Sequence, residues 1–252
     1  MQQFRVLDLF SGLEGWSAGF KDRGHHVTTL DLDPRFGADI QADILSINAL
    51  GKFDVILASP PCETFSTMTI ARYWTGGTGA YQPKHEDGCA GALCECRSVV
   101  GLALMNKTFE LIDKAQPRYY VIENPRAVMR KVAPVPPTLT TWYCRWGRPY
   151  AKPTDLWTNI EGEFPICRNR NPDHAPAPRG SRTGTQGENA ALVAPHGRRS
   201  PAELAALRAL VPYRLSLAVA LAAERGGVLP PMDDVLALEA IYRPAAQNTE
   251  AA

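Results

Sequence analysis

Asp54-Val55-Ile56-Leu57-Ala58 is a short, unbroken apolar run, and it ends at Ser59-Pro60-Pro61-Cys62-Glu63-Thr64-Phe65-Ser66. A run of this length, rich in β-branched residues and closed by prolines, predicts a strand covered on both faces, as in a parallel sheet. Each proline fixes φ and biases the residue before it toward extended geometry, so Cys62 is expected on a rigid turn at the strand's carboxyl end. A nucleophile benefits from such a seat. A buried structural cysteine, packed as a small hydrophobe, fits the octapeptide equally well.

A second segment favours chemistry. Tyr119-Tyr-Val-Ile-Glu123-Asn124-Pro125-Arg126 reads as another short strand that delivers an acid and an amide before a proline stops it. Val99 to Lys114, with apolar positions at Val100, Leu104, Phe109, Leu111 and Ile112, suggests an amphipathic helix before it. Ends of parallel strands open onto one crevice, so Cys62 and Glu123 are expected to meet there. A thiolate beside a carboxyl group suits attack on an electron-poor ring whose nitrogen needs a hydrogen bond or proton at the same moment.

The amino terminus adds a strand at Phe4 to Phe10, a turn at Ser11-Gly12-Leu13-Glu14-Gly15, a helix from Trp16 to Arg23, and a strand from His26 ending in Asp31 and Asp33. Strand, glycine turn, helix, strand and acid is the layout of a nucleotide-type site. The glycine spacing does not fit the dinucleotide fingerprint, and Glu14 would repel a pyrophosphate at the helix amino end. A cofactor with adenosine and no phosphates fits better, and S-adenosylmethionine is such a molecule.

In this order, the residues resemble the cytosine-C5 DNA methyltransferases, in the form of a small phage- or bacterial-type member. Asp8-Leu-Phe10-Ser-Gly12 is similar to the family's cofactor motif, Asp31 to its ribose acid, Asp43 to its adenine contact, Pro61-Cys62 to its nucleophile and Glu123-Asn124 to its target-base motif. Trp146-Gly-Arg-Pro-Tyr-Ala-Lys152-Pro-Thr154 and Val211 to Leu217 resemble two later segments. The resemblance implies a Rossmann-like α/β methyltransferase fold with a mostly parallel sheet and helices on both faces. It implies Cys62, Glu123, Asn124 and Lys152 as catalytic residues, and Phe10, Gly12, Asp31, Asp43 and Pro61 as residues binding S-adenosylmethionine. It implies double-stranded DNA as partner, with the target cytosine flipped out of the duplex. RNA cytosine methylation and a non-catalytic nucleic-acid-binding relative are the alternatives. The chain departs from the family at Glu14, at Pro125, and at Lys152 and Thr154, where two arginines are usual; Arg145 or Arg148 could compensate, since lysine lacks arginine's planar fork.

The stretch Thr67 to Cys96, with Gly76-Gly-Thr-Gly79 inside it, is placed and composed as a mobile loop that covers the flipped base. It holds His85, Cys89, Cys94 and Cys96, which could bind zinc or remain reduced thiols; no Cys-x-x-Cys occurs among them, and no metal site is expected. From Arg168 to Arg199 the chain carries six arginines against Asp173 and Glu188, either a solvated loop or a phosphate-contacting arm. The expected organisation is a catalytic and cofactor-binding core over residues 1–160, a short basic recognition segment over 161–200, helices completing the core over 201–243, and a flexible tail over 244–252. Ser200-Pro201 is placed as a helix start, and a second helix follows Pro212 to Arg225.

With 252 residues, 45% of them hydrophobic, the chain is long enough for a single α/β core. The Leu215 to Ala223 run is too short to span a membrane and the first residues do not open a signal peptide, so no membrane partner is expected. Six cysteines without a secretory signal imply a reducing compartment, the cytoplasm of a bacterial or phage-infected cell. A monomer is expected.

Overall fold

The computed structural model describes residues 2–67, 69–76, 81–84, 96–167 and 206–243. The expectations for His85, Cys89, Cys94, the arginine-rich run, the Ser200 helix start and the tail from residue 244 lie outside the described residues.

In chain order the elements are β1 (Arg5–Leu9), α1 (Ser17–Asp22), β2 (His26–Asp31), β3 (Ile40–Gln41), β4 (Val55–Ala58), α2 (Ile70–Tyr73), β5 (Trp74–Thr75), β6 (Gln82–Pro83), α3 (Arg97–Ala115), β7 (Tyr119–Pro125), α4 (Met129–Val132), β8 (Leu139–Trp142), β9 (Pro153–Thr158), α5 (Tyr213–Glu224) and α6 (Met232–Tyr242). Seven strands form one sheet in the order β3-β2-β1-β4-β7-β9-β8, while β5 and β6 pair separately. The pairings from β3 across to β7 are parallel. The hairpin of β8 and β9 adds antiparallel to the β7 edge. This is the expected Rossmann-like arrangement, a mostly parallel sheet with helices on both faces.

Strand alternation divides the core in two. On one face Val6, Val55, Leu57, Tyr119 and Val121 pack with Trp16 and Phe20 of the first turn and helix and with α5. On the other, Leu7, Leu9, Ile56, Ala58 and Ile122 pack with Phe65, Trp74 and the α3 residues Met105, Leu111 and Ile112. All four β4 residues are fully buried, which explains why that run lacks any polar alternation.

α3 is the amphipathic helix expected before β7, and Leu104 and Phe109 pack against the core beside Leu111 and Ile112. Its buried stripe is Ser98, Gly101, Met105, Thr108, Leu111 and Ile112, whereas Val100, Leu104 and Phe109 are only half-buried. The cause is close approach: a Cβ on Gly101 would sit 2.4 Å from Thr64 Oγ1, so the helix turns small and polar residues toward the loop after Cys62.

The stretch Ala206–Glu224, longer than the Leu215 to Ala223 run, is long and apolar enough to cross a membrane by length and composition. Its apolar part is a core element here, since every residue from Leu215 to Ala223 is buried. α5 meets α1 at backbone distance, where a Cβ on Gly19 would lie 2.4 Å from Leu217 N. Ser216 Oγ locks the contact by accepting from Gly19 N at 2.9 Å and donating to the Trp16 carbonyl at 2.5 Å.

Candidate active site

β1 leads through α1 to β2 on one side, and its other neighbour, β4, leads through α3 to β7 on the opposite side. The order therefore reverses between β1 and β4, and a crevice opens beyond their carboxyl ends. Two hydrogen bonds close its floor: Ser59 N donates to the Leu9 carbonyl at 3.3 Å, and Trp16 Nε1 donates to Ser59 Oγ at 3.0 Å.

Cys62 sits past the end of β4. Phe65 N and Ser66 N both donate to its carbonyl, at 3.1 and 3.0 Å, so the prolines run into a tight turn. That turn is held from two sides, by Trp74 Nε1 donating to the Thr64 carbonyl at 2.6 Å and by Val128 N donating to the Phe65 carbonyl at 3.0 Å. Burial pushes the Cys62 thiol up from its ordinary range; the positive charge of Lys152 opposes this and the negative charge of Glu123 adds to it. The three predicted groups therefore act on one another. At rest the sulfur is a thiol, with a cation placed to favour its ionisation.

Asn124 is fully buried, and its Nδ2 donates to the Pro60 carbonyl at 2.9 Å. The end of β7 is thus pinned to the loop carrying the cysteine. By strand alternation Asn124 faces the α3 side, while Glu123 faces the side of α1 and α5. Glu123 is buried and its Oε1 accepts from Tyr143 Oη at 2.8 Å. Lys152 lies with Nζ 4.4 Å from the Tyr143 ring centroid and donates to the Arg208 carbonyl at 2.7 Å. Tyr143 was not singled out from the sequence: it carries no periodic or motif signal, and its partner stands twenty residues away on another strand.

Thr154, in one of the two arginine positions, is fully buried and its hydroxyl donates to the Lys152 carbonyl. Of the two arginines suggested as compensation, Arg145 is exposed. Arg148 donates to the Leu210 carbonyl at 3.3 Å, and its charge reaches Tyr143. One face of the sheet here also buries Asp155, opposite Asn124 in the ladder, which accepts from Thr140 Oγ1 at 2.7 Å and pairs with Arg130 Nε at 3.0 Å.

The glycine turn is left-handed at three places, Phe10 at φ 59°, Gly12 at 49° and Glu14 at 58°. A Cβ on Gly12 would meet only the Phe10 carbonyl, at 3.9 Å, so the backbone is open to close approach by a ligand. Glu14 adopts the left-handed conformation although it is not glycine, and Lys21 pairs with its carboxylate. Asp31 accepts from Gly12 N at 2.9 Å on Oδ2 and from Asp33 N at 2.9 Å on Oδ1. Each carboxylate oxygen keeps a second lone pair, so the acid can still accept ribose hydroxyls while bracing the turn. Asp43 is exposed and caps the short 3-10 turn Ile44–Ser46 through Oδ1, accepting from Leu45 N at 2.9 Å. Pro61 lies on the rim of a cleft of 230 Å³ between the cysteine loop and α3. Beneath the turn, Asp8 is buried with Ser17 Oγ donating to it at 2.6 Å; burial pushes its carboxyl up to about 7.

Among the described residues, no group of three or more histidines, cysteines or acids is placed to hold a metal ion. Cys96 is buried, and its three candidate zinc partners lie outside the described residues.

No family profile matches the chain. A protein of Frog virus 3 (isolate Goorha), described as a "Probable DNA (cytosine-5)-methyltransferase", is 32% identical over 168 residues, covering 64% of this chain and 73% of that protein. Solved structures similar to the chain include a protein encoded within an E. coli prophage, at 17% identity over 62% of this chain and 46% of that one, with a TM-score of 0.42. Others are the Entamoeba histolytica methyltransferase EhMeth (12% identity, 68% and 58% of the two chains, TM-score 0.40) and S. pombe Dnmt2 (15% identity, 65% and 52%, TM-score 0.37). The chain spans about half the length of these solved structures.

Proposed function

The chain belongs to the DNA (cytosine-5)-methyltransferase family, and on that premise we propose that it methylates C5 of cytosine in double-stranded DNA, using S-adenosylmethionine and a covalent bond between Cys62 and C6 of the base. The observation that carries this reading is the pinning of β7 to the cysteine loop through Asn124 and Pro60, which keeps Glu123 within electrostatic reach of Cys62.

Cytosine is a poor nucleophile at C5. Cys62, once deprotonated, adds its electron pair to C6, and the C5–C6 π pair is displaced toward C5 as Glu123, having taken up a proton from solvent, hydrogen-bonds to N3 through that proton or transfers it there. Lys152 favours the thiolate that must form, against the cost of burial. Bound S-adenosylmethionine would supply an electrophilic methyl group on a sulfonium, whose bonding pair stays with sulfur. After methylation, loss of the C5 proton returns a pair to the C5–C6 bond, and the bond between sulfur and C6 breaks to release Cys62.

The cofactor's hydroxyls and adenine fit the open backbone at Gly12, the acceptors of Asp31 and Asp43, and the flanking Phe10 and Pro61. The base must leave the duplex to reach Cys62, and the glycine-rich stretch Thr67 to Cys96 is suited to cover the vacated space. The arginines of the 161–200 segment are suited to phosphates, as a minimal recognition element on a core made by residues 1–160 and completed by the helices of 201–243.

The test is trapping. Duplex DNA with 5-fluorocytosine at target positions should form a denaturation-resistant adduct with the wild-type chain in the presence of S-adenosylmethionine, and none with Cys62→Ser. Single-stranded DNA and tRNA run in parallel decide the substrate. Equal adduct yields from both proteins would overturn the role of Cys62, and an adduct with tRNA alone would overturn DNA as the target.

A further inference from the structure

We propose that Tyr143 is a positioning residue for Glu123, and that with Lys152 on its ring it decides which carboxyl oxygen meets the target base. This deepens the methyltransferase reading and rests on it.

Tyr143 and Lys152 face each other just beyond the β8–β9 ladder, where Tyr143 N donates to the Lys152 carbonyl at 3.0 Å. The hairpin thus delivers both side chains to the end of β7. Tyr143 is fully buried, and its hydroxyl donates to Glu123 Oε1 at 2.8 Å. Burial and the adjacent Glu123 raise the Tyr143 phenol well above its ordinary value, so it serves as a donor throughout the working range. An oxygen that accepts from a fixed phenol is poorly placed to carry a proton itself. Oε2 is then the oxygen left to donate to a ring nitrogen, and the carboxyl group cannot rotate without losing a bond in a buried site. Lys152, 4.4 Å over the ring and anchored on the Arg208 carbonyl, braces the tyrosine on its other side. One lysine therefore touches both halves of the chemistry, the thiol through its charge and the acid through the ring it covers.

Tyr143→Phe keeps the ring and removes only the hydroxyl. Single-turnover methylation of duplex DNA should slow by about 10- to 100-fold, the loss expected of a hydrogen bond to a charged group, with unchanged KM for DNA and unchanged affinity for S-adenosylmethionine. The rate of adduct formation on 5-fluorocytosine DNA should fall with it. In a Glu123→Gln background the same substitution should cost little further, because the hydroxyl acts only through the acid; a generally structural role would give additive losses. An undiminished rate in Tyr143→Phe, additive losses in the double variant, or a variant that melts far below wild type would each overturn the proposal. A wild-type chain that never forms the adduct would instead overturn the methyltransferase reading, and this proposal with it.

Discussion

Asn124 and Pro60 are joined by a single hydrogen bond, 2.9 Å from side-chain amide to backbone carbonyl, across the gap between two parallel strands. Backbone groups in a proline turn have few alternative partners, so this bond governs how the cysteine loop sits against the acid. Asn124→Ala would leave the Pro60 carbonyl unpaired in a fully buried setting. We expect a loss of about 1–3 kcal/mol in unfolding free energy, read from urea titrations, together with slower adduct formation. Wild-type stability and trapping rate in that variant would remove the bond's assigned role.

Lys152→Met takes away the cation that opposes burial at the Cys62 thiol. The thiol should then ionise at higher pH than in wild type, so alkylation of Cys62 by iodoacetamide should slow at fixed pH and its pH profile should move upward. Lys152→Arg should stay near the wild-type profile. Peptide mass spectrometry quantifies the modification at this one cysteine, and coincident profiles for wild type and methionine would show that the lysine's charge does not reach the sulfur.

Asp31→Ala should weaken S-adenosylmethionine binding by roughly 1–3 kcal/mol, the cost of losing hydrogen bonds to a charged acceptor. Part of that loss comes from the turn, because Gly12 N and Asp33 N lose their acceptor as well. Calorimetry on the two proteins gives the answer directly. Unaltered affinity would restrict Asp31 to bracing the backbone.

Asp8 supplies a pH signature. Its folded value of about 7 lies above the ordinary carboxyl value of 3.8, so the folded chain keeps a proton that the unfolded chain releases. The stability it contributes is fully present at low pH, falls as pH climbs from about 4 to about 7, and is constant above that. Asp8→Asn, which can still accept from Ser17, should lack this decline. Urea midpoints of the two proteins, compared across that window, should diverge progressively in favour of the variant, and parallel curves would contradict the assignment.

The strands were legible because burial on both faces leaves a strong trace: β4 and β7 each read as an apolar run closed by proline, and the polar residues worth noticing stood at their ends. The α3 helix was legible from its apolar periodicity, but its tightest contact was not, since a helix pressed against a backbone turn needs Gly101 and Ser98 where a looser contact would take leucine. Asp31 was legible as an acid after a strand, but not as the acceptor of two backbone N–H groups, which depends on how the turn folds back. Tyr143 left no trace at all. Its role is a distance between a hairpin mouth and a neighbouring strand end, and that distance exists only once the register of β7, β8 and β9 is set.

The contact between Gly19 and Leu217 has a consequence for how the chain is made. A ribosome releases the glycine turn and α1 before the helix that covers them, whose Ser216 lies 197 residues beyond Gly19. Until then one face of the nascent sheet, with Trp16, Phe20 and Val55 on it, has no cover. The glycine turn therefore gains its final shape only after the helix Tyr213–Glu224 has emerged, and until then the unfinished chain must be kept from sticking to its neighbours.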